Sequence, residues 1–177
     1  MAEHDRGGDG MLVELFLASG RVQGVTYEVR DRRRLVDVLT DPRSAFKLES
    51  ARLMWQPVAA LRELGPLNVE KRSIVAAIPH ETERQLRERS MQRLTVGRSE
   101  TRPVQATVLL PPFIVEGSVH VPVGTGGAGS SLTADAAIFG RFFPVTDATL
   151  TLPGGAVVEA SILLINRDVI AAISVRD

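Results

Sequence analysis

An internal repeat constrains the fold of this chain more than any other feature of its sequence. The segment NVEKRSIVAAI at residues 68–78 is matched 95 positions later by LLINRDVIAAI at residues 163–173, and this match places Arg72 on Arg167. A segment that recurs is expected to fold each time into the same supersecondary unit. The chain is therefore expected to contain two copies of one module.

Two further matches precede this one in the same order along the chain. They are residues 46–53 with residues 143–150, and Val22-Gln23-Gly24 with Val115-Glu116-Gly117. Three collinear matches are hard to obtain by chance. We therefore predict that copy one covers about residues 12–79 and copy two about residues 105–176.

Each copy is predicted to consist mainly of short strands, because β-branched and aromatic residues dominate its apolar runs. The predicted strands are residues 11–18, 21–30, 46–53 and 74–78 in copy one, and residues 105–110, 113–123, 144–152, 156–164 and 168–175 in copy two. Five strands in about 65–70 residues is the size of a small closed barrel, which has no exposed sheet edge. The predicted fold is mainly β, with two tandem small β-barrel modules joined by a charged helix.

That helix is the connector between the copies, at residues 80–103, where strong helix formers predominate. We expect it to be solvated; an amphipathic helix that binds a partner is the alternative. A short helical turn is also predicted in copy one, where Leu35 and Leu39 lie at i and i+4. The predicted domains are a disordered tail at residues 1–10, modules at residues 11–79 and 104–177, and the connector.

Composition excludes several classes of protein. The 21 basic and 21 acidic residues balance, so no global charge attracts nucleic acid or an anionic membrane. The absence of cysteine removes disulfide scaffolds, thiolate metal sites and thiol catalysis. The polar start is unlike a signal peptide, and no apolar run is long enough to cross a membrane. We therefore expect a cytoplasmic protein without a membrane partner.

One basic cluster stands out, and it comprises Arg30, Arg32, Arg33 and Arg34. Guanidinium groups bind phosphates and carboxylates through paired hydrogen bonds, so this cluster, with Arg72 and Arg167, is a candidate site for a nucleotide or nucleic acid. The alternative is a solvated turn whose arginines pair with neighbouring aspartates. The balanced net charge does not support nucleic-acid binding.

A glycine-rich loop follows the second predicted strand of copy two. Gly124, Gly126 and Gly129 have the G-x-G-x-x-G spacing of phosphate-binding loops, but Ser130 stands where a P-loop carries its lysine. The segment that could form the next helix is only about ten residues long, too short for a crossover between parallel strands. We interpret the loop as a flexible insertion; a phosphate-binding enzyme that uses it is the alternative.

Catalytic and metal-binding patterns are missing from the sequence. His4, His80 and His120 are isolated from one another, and no pair has the spacing of metal ligands. No nucleophile motif occurs either. We predict no catalytic residues, no metal site and no cofactor, and hence no enzyme.

Both copies end in the same kind of motif. Lys71-Arg72-Ser73 and Asn166-Arg167-Asp168 each place a basic residue and a short turn before an apolar final strand, and each second strand carries V-x-G. In these motifs the modules resemble the Sm-like family, which implies small five-stranded barrels of SH3-like architecture. The family's Asp…Asn pocket is replaced here by residues 30–37 and by the glycine-rich loop. The resemblance therefore supports the barrel more than it supports RNA binding. The pair of modules also resembles bacterial proteins with duplicated small β-domains.

We expect from these features a non-enzymatic binding or assembly module of a bacterial cytoplasm. Residues 101–177 contain only 4 basic and 6 acidic residues, and residues 160–165 are uncharged and apolar on both faces. Such a run is typical of a strand buried between modules or subunits. We therefore expect self-association, with a protein partner or a nucleic acid as the alternatives.

Overall fold

The computed structural model describes residues 10–29, 34–55, 60–81, 101–123 and 140–176. The first part of the chain forms β1 (Met11–Leu17), β2 (Gly20–Thr26), α1 (Leu35–Thr40), β3 (Ala45–Trp55), β4 (Ala60–Glu70), the 3₁₀ turn η1 (Lys71–Ser73) and β5 (Ile74–His80). The second part forms β6 (Thr101–Leu110), β7 (Phe113–Pro122), β8 (Phe142–Thr151), β9 (Val157–Asn166), the 3₁₀ turn η2 (Arg167–Val169) and β10 (Ala172–Arg176). The fold is mainly β, as predicted.

All ten strands of the described residues belong to one antiparallel sheet, in the order β10-β6-β7-β8-β9-β5-β1-β2-β3-β4. The order repeats itself. Copy one runs β5-β1-β2-β3-β4 across the sheet, and copy two runs β10-β6-β7-β8-β9. The two sets are joined where β5 lies beside β9.

The prediction of two closed barrels is corrected by this strand order, because the described residues form a single open sheet. A strand has only two edges for pairing. To close copy one, β5 would have to pair with β4, but its edges are taken by β1 and β9. In the described part of the chain, β4 pairs only with β3 and β10 only with β6.

The V-x-G of each copy marks the same backbone irregularity. Gly24 and Gly117 lie where the pairing of the second strand with the third shifts register. A Cβ on Gly24 would lie 3.1 Å from Leu48 Cβ, and one on Gly117 only 2.7 Å from Val145 Cγ1. The repeated glycines therefore allow the close approach of two strands at a bulge.

The facing strands share a matching irregularity. Ser50 in β3 and Asp147 in β8 both have a positive φ, at 50° and 49°, a conformation that residues other than glycine seldom adopt. They lie at corresponding places, since residues 46–53 match residues 143–150. The third strand of each set thus carries a positive-φ residue where its pairing with the second strand shifts register.

Two predicted segments differ from the structure. Strand β4 was not identified in the sequence, because Gly65-Pro66 interrupts its apolar pattern. The last strand of copy two was expected to start at Asp168, but residues 167–169 form η2 instead. The tail and most of the connector helix fall on residues 1–9 and 82–100, outside the described residues, whereas residues 101–103 belong to β6.

Two hydrophobic clusters form the core, and each takes residues from both copies. Phe16, Val75, Ala76 and Ile78 of copy one pack into the cluster that copy two dominates. Phe142 and Leu164 of copy two pack into the other cluster, with the α1 side chains Leu35, Val38 and Leu39. Among the helices described, none has the length and apolar character that crossing a membrane requires.

Candidate functional site

The internal junction, defined here as the pairing of β5 with β9, connects the two copies. Ala76 lies opposite Ile165 and Ala77 opposite Leu164, in antiparallel orientation. All four side chains are buried, at no more than 3% exposure. The uncharged run at residues 160–165 is part of β9, which lies between β8 and β5. The junction is therefore both a backbone ladder and part of the hydrophobic core.

Asn166 strengthens the internal junction. Its side chain is fully buried, and Nδ2 donates a hydrogen bond to the backbone oxygen of Ile74 at 2.8 Å. Its Oδ1 accepts from the backbone N–H of Asp168 at 3.1 Å and so caps η2. A second contact between the two copies is the edge-to-face packing of Phe16 on Phe113, whose ring centres lie 6.0 Å apart. One amide side chain thus fixes a turn in copy two and binds it to copy one.

Strand pairing identifies which residues of the two copies correspond. Phe46 pairs with Val69, and Phe143 pairs with Ile165. Since Phe46 corresponds to Phe143, Val69 corresponds to Ile165, which is an offset of 96 residues. On the other side of each copy, β1 corresponds to β6 at an offset of 93. β5 pairs with β1 and β10 pairs with β6, so these two last strands also correspond, again at an offset of 96 residues.

This offset corrects the alignment of the two repeat arginines. The backbone N–H of Lys71 donates to the oxygen of Ser44, and that of Arg167 donates to the oxygen of Arg141, each at 2.8 Å. Arg167 therefore occupies the position of Lys71, not that of Arg72. The Ala-Ala-Ile match at an offset of 95 is displaced by one residue from the hydrogen-bonded correspondence.

Lys71 has a structural role in copy one. Its side chain is 1% exposed, and Nζ donates to the backbone oxygens of Val38 at 2.6 Å and Asp41 at 3.0 Å. The last carbonyls of a helix lack partners within the helix, and a cation stabilises them. Lys71 therefore caps the C-terminus of α1 and holds the helix against η1.

Strand β10 is the counterpart of β5, but it is far more exposed. Ala76 is buried and its counterpart Ala172 is exposed. The same contrast holds on the neighbouring strand, where Phe16 is 1% exposed and its counterpart Leu109 is 44% exposed. Ile114, the counterpart of Arg21, is also 43% exposed. Copy two thus exposes apolar side chains at two positions whose equivalents in copy one are a buried phenylalanine and a half-buried arginine.

Strand β4, at the other end of the sheet, is the counterpart of β9. Asn68 is exposed at the position of Leu164, and Val69 is buried at the position of Ile165. Pro66 lies just before them and has no N–H, which is tolerated at a sheet edge. Pro66 therefore divides the edge of β4 into residues 60–65 and residues 67–70.

The arginines predicted as a site are only partly brought together. Arg34 precedes α1, and its Nη2 donates a hydrogen bond to Oδ1 of Asp37 at 3.0 Å. This hydrogen bond raises the pKa of Arg34.

Arg72 is exposed on η1. Arg167 is partly buried on η2, and its Nε lies 4.0 Å from Oδ1 of Asp168. Arg72 and Arg167 flank the Asn166–Ile74 hydrogen bond, whereas Arg34 lies at the opposite end of α1 from Lys71.

The other predicted site residues lie outside the described residues. These are Arg30, Arg32 and Arg33 of the basic cluster, and Gly124, Gly126 and Gly129 of the glycine-rich loop. In the part of the chain that is described, no group of three or more acidic or histidine side chains is arranged to hold a metal ion.

A charged cluster around the buried Glu14 was not found from the sequence. Glu14, only 2% exposed, forms an ion pair through Oε1 with Nε of Arg21, and its Oε2 lies 3.4 Å from Nε2 of His80. Arg21 also lies over the ring of Phe16, at 5.6 Å from the ring centre. Burial, followed by the charge of Arg21, lowers the pKa of His80. The only signal in the sequence was the single charge within the apolar run of β1.

An apolar cavity of about 580 Å³ lies beside this cluster. The turns β1–β2, β6–β7 and β8–β9 line it, with Phe16, Arg21, Phe113, Leu152 and Pro153 among its walls. Its size suits a small molecule. Among the described residues that line it, Arg21 alone is charged, and it is already paired with Glu14.

Comparison of the chain with protein-family models, with curated proteins and with solved structures found no match.

Proposed function

We propose that this chain is a non-enzymatic assembly module that associates with further copies of itself through the ends of its sheet. One observation carries the proposal: β5 and β9 pair inside the chain, whereas among the described residues their counterparts β10 and β4 lie at the two edges of the sheet. An edge strand presents a row of backbone N–H and C=O groups that pair readily with another chain unless they are blocked. The exposed side chains of Leu109 and Ile114 beside β10 add an apolar surface to that edge.

The finer assignment of the fold belongs to the same proposal. We propose that each set of five strands is a small, strongly bent barrel of the Sm-like type, open on the side where it pairs with its neighbour. The bulges at Gly24 and Gly117 support this, because bulges bend strands and increase their twist. In such an arrangement the last strand of one unit and the fourth strand of another complete each other's edges.

Light scattering on the intact chain tests the proposal. We expect a mass well above 19.2 kDa that falls on dilution. Leu109→Lys should shift the protein to monomer, because a charge placed in a paired interface must lose its hydration. Leu12→Lys is the matched control, since Leu12 is similarly exposed at 38% but lies in the middle of the sheet. A strictly monomeric wild-type chain at high micromolar concentration would refute the proposal.

Anion or nucleic-acid binding is a second candidate, favoured by the position of Arg72 and Arg167. Both flank the internal junction, and Arg72 is exposed there. Guanidinium groups so placed suit phosphate oxygens. A binding series with single-stranded RNA at increasing salt tests this candidate. Affinity that falls steeply with salt and is lost in Arg72→Ala supports it; no binding at low salt excludes it.

A further inference from the structure

We propose that the apolar cavity beside Glu14 and Arg21 binds an uncharged, largely apolar small molecule that carries a hydrogen-bond acceptor such as a carbonyl oxygen. The cavity has a volume of about 580 Å³. Ligand pockets are concave and mostly apolar, of about this size, with a few polar groups that orient the ligand. The proposal is independent of self-association, because none of the described residues that line the cavity belongs to β4 or β10.

Both copies contribute apolar side chains to the walls of the cavity. Phe16 comes from copy one, Phe113 and Leu152 come from copy two, and each is 7% exposed or less. Other lining residues, among them Ser19 and Pro153, are exposed in turns, so the cavity is reached from solvent. An apolar ligand that enters from these turns loses its hydration against side chains that are already packed together. Such burial of apolar surface favours binding.

Arg21 supplies the polar group that orients the ligand. Its Nε pairs with Oε1 of Glu14, and its guanidinium carbon lies 5.6 Å from the ring centre of Phe16. A guanidinium carries five N–H donors, more than one carboxylate oxygen accepts. The Arg21 side chain also remains 31% exposed at the cavity wall. Donors of Arg21 are therefore left for an acceptor on a ligand.

The charges around Arg21 favour an uncharged acceptor over an anion. Arg21 already neutralises Glu14, whose side chain is 3% exposed. His80 lies 3.4 Å from Glu14 Oε2, but burial and then the charge of Arg21 lower its pKa, so the ring is neutral at neutral pH. A ligand carboxylate would therefore place a second negative charge beside Glu14 with only one cation to offset both. A carbonyl oxygen accepts from the same donors without this repulsion.

The repeat does not explain the presence of this polar group. At the positions of Glu14 and Arg21, copy two carries Thr107 and Ile114. The fold of a copy therefore requires neither the carboxylate nor the guanidinium. The pair occurs where the β1–β2 turn of copy one meets the β6–β7 and β8–β9 turns of copy two and encloses an apolar cavity. Such a placement is expected of a binding site.

Fluorescence titration of the intact chain with the dye prodan, an uncharged naphthyl ketone, tests the proposal. The emission of this dye shifts to the blue when it leaves water. Acetylnaphthalene, ethylnaphthalene and naphthoate then compete with the dye. The three share a ring system and differ in carrying a carbonyl group, no acceptor, or a carboxylate.

Two serine variants locate the bound dye. Ser19→Trp places a large side chain at an exposed turn residue that lines the cavity. Ser44→Trp is the matched control, because Ser44 is also exposed in a turn but is not a lining residue. Pro153→Trp repeats the test from the β8–β9 turn. Urea denaturation establishes that each variant is folded.

We expect acetylnaphthalene to bind about ten-fold more tightly than ethylnaphthalene, because it accepts a hydrogen bond from a charged donor. Naphthoate should bind more weakly than the ketone. Ser19→Trp and Pro153→Trp should each weaken dye binding about ten-fold or more, and Ser44→Trp should leave it unchanged. Absence of dye binding to the wild type, or equal affinities of Ser19→Trp, Pro153→Trp and Ser44→Trp, would overturn the site. Equal binding of the ketone and the hydrocarbon, or tighter binding of naphthoate, would overturn the ligand class.

Discussion

Strands β5 and β10 occupy the same place in the two halves of the sheet, yet one is buried and the other is exposed. Both are largely apolar, with the sequences IVAAIPH and AISVR. What differs is the neighbour, since β9 covers β5 whereas β10 has only β6 beside it in the described residues. Burial in this protein is therefore decided by what lies next to a strand rather than by its own composition. The exposed strand, β10, is one of the two edges through which we propose that the chains associate.

A second contrast concerns the turns that precede these strands. Lys71 and Arg167 occupy corresponding positions, but Lys71 is buried under α1 whereas Arg167 is 37% exposed. The counterpart of α1 in copy two falls within residues 124–139, outside the described residues. Corresponding backbone positions thus carry a buried lysine that caps α1 in copy one and a partly exposed arginine in copy two.

The largest expected effect separates Phe16 from its counterpart Leu109. Phe16→Ala should lower the free energy of unfolding by about 3–5 kcal/mol, because it removes a buried ring that packs on Phe113. Leu109→Ala should cost less than about 1 kcal/mol in the monomer, since its side chain is 44% exposed. Urea denaturation of the dissociated protein measures both. Equal losses would show that Leu109 is buried and that the exposed surface does not exist.

The next effect compares Lys71 with Arg167. Lys71→Met keeps most of the buried volume but leaves the oxygens of Val38 and Asp41 without their donor, so we expect a loss of about 2–3 kcal/mol. Arg167→Met should cost less than about 1 kcal/mol, because its ion pairing is partly exposed. Both are measured by denaturant unfolding. A cost for Arg167→Met as large as that for Lys71→Met would contradict the distinct roles assigned to the two turns.

The mainly β character could be predicted from the sequence, and the recurring V-x-G reflects backbone geometry. A Cβ on Gly24 would crowd the facing strand and one on Gly117 would clash with it, so both positions favour glycine. The Ala-Ala-Ile match placed the last strands one residue out of register. Short apolar segments can be aligned in more than one register, whereas backbone hydrogen bonds define a single one. Strand β4 escaped detection since Gly65-Pro66 resembles a loop. Closed barrels were expected because a sequence does not show which edge of β5 meets which strand.

The candidate interface and the charged cluster around Glu14 were harder to predict than the strands, for a shared reason. Both depend on residues that are distant in the chain. Glu14 and His80 are 66 positions apart, and the pairing of β5 with β9 joins residues almost 90 positions apart. The sequence did indicate the uncharged run at residues 160–165 as a buried strand. Its neighbours, however, follow only from the order of the strands.

The smallest expected effect tests the charged cluster that copy one has and copy two lacks. At the corresponding positions copy two carries Thr107, Ile114 and Arg176, so it has neither the carboxylate nor the imidazole of this cluster. Burial, and then the charge of Arg21, lowers the pKa of His80 below its ordinary value of 6.5. The unfolded chain therefore binds a proton at His80 more readily than the folded chain does. The contribution of neutral His80 to stability is complete above pH 6.5 and is lost as the pH falls from there through the pKa of the folded state.

His80→Gln removes this dependence, and the comparison with wild type isolates it from the other titrating groups. Between about pH 7.5 and pH 5.5 the free energy of unfolding should fall more in the wild type than in the variant, by a modest amount because the His80 side chain is 43% exposed. Urea denaturation at each pH measures the two slopes. The carboxylate of Glu14, 3.4 Å from the ring, acts in the opposite direction by favouring the protonated form. A steeper fall in the variant would therefore show that Glu14 outweighs burial and Arg21.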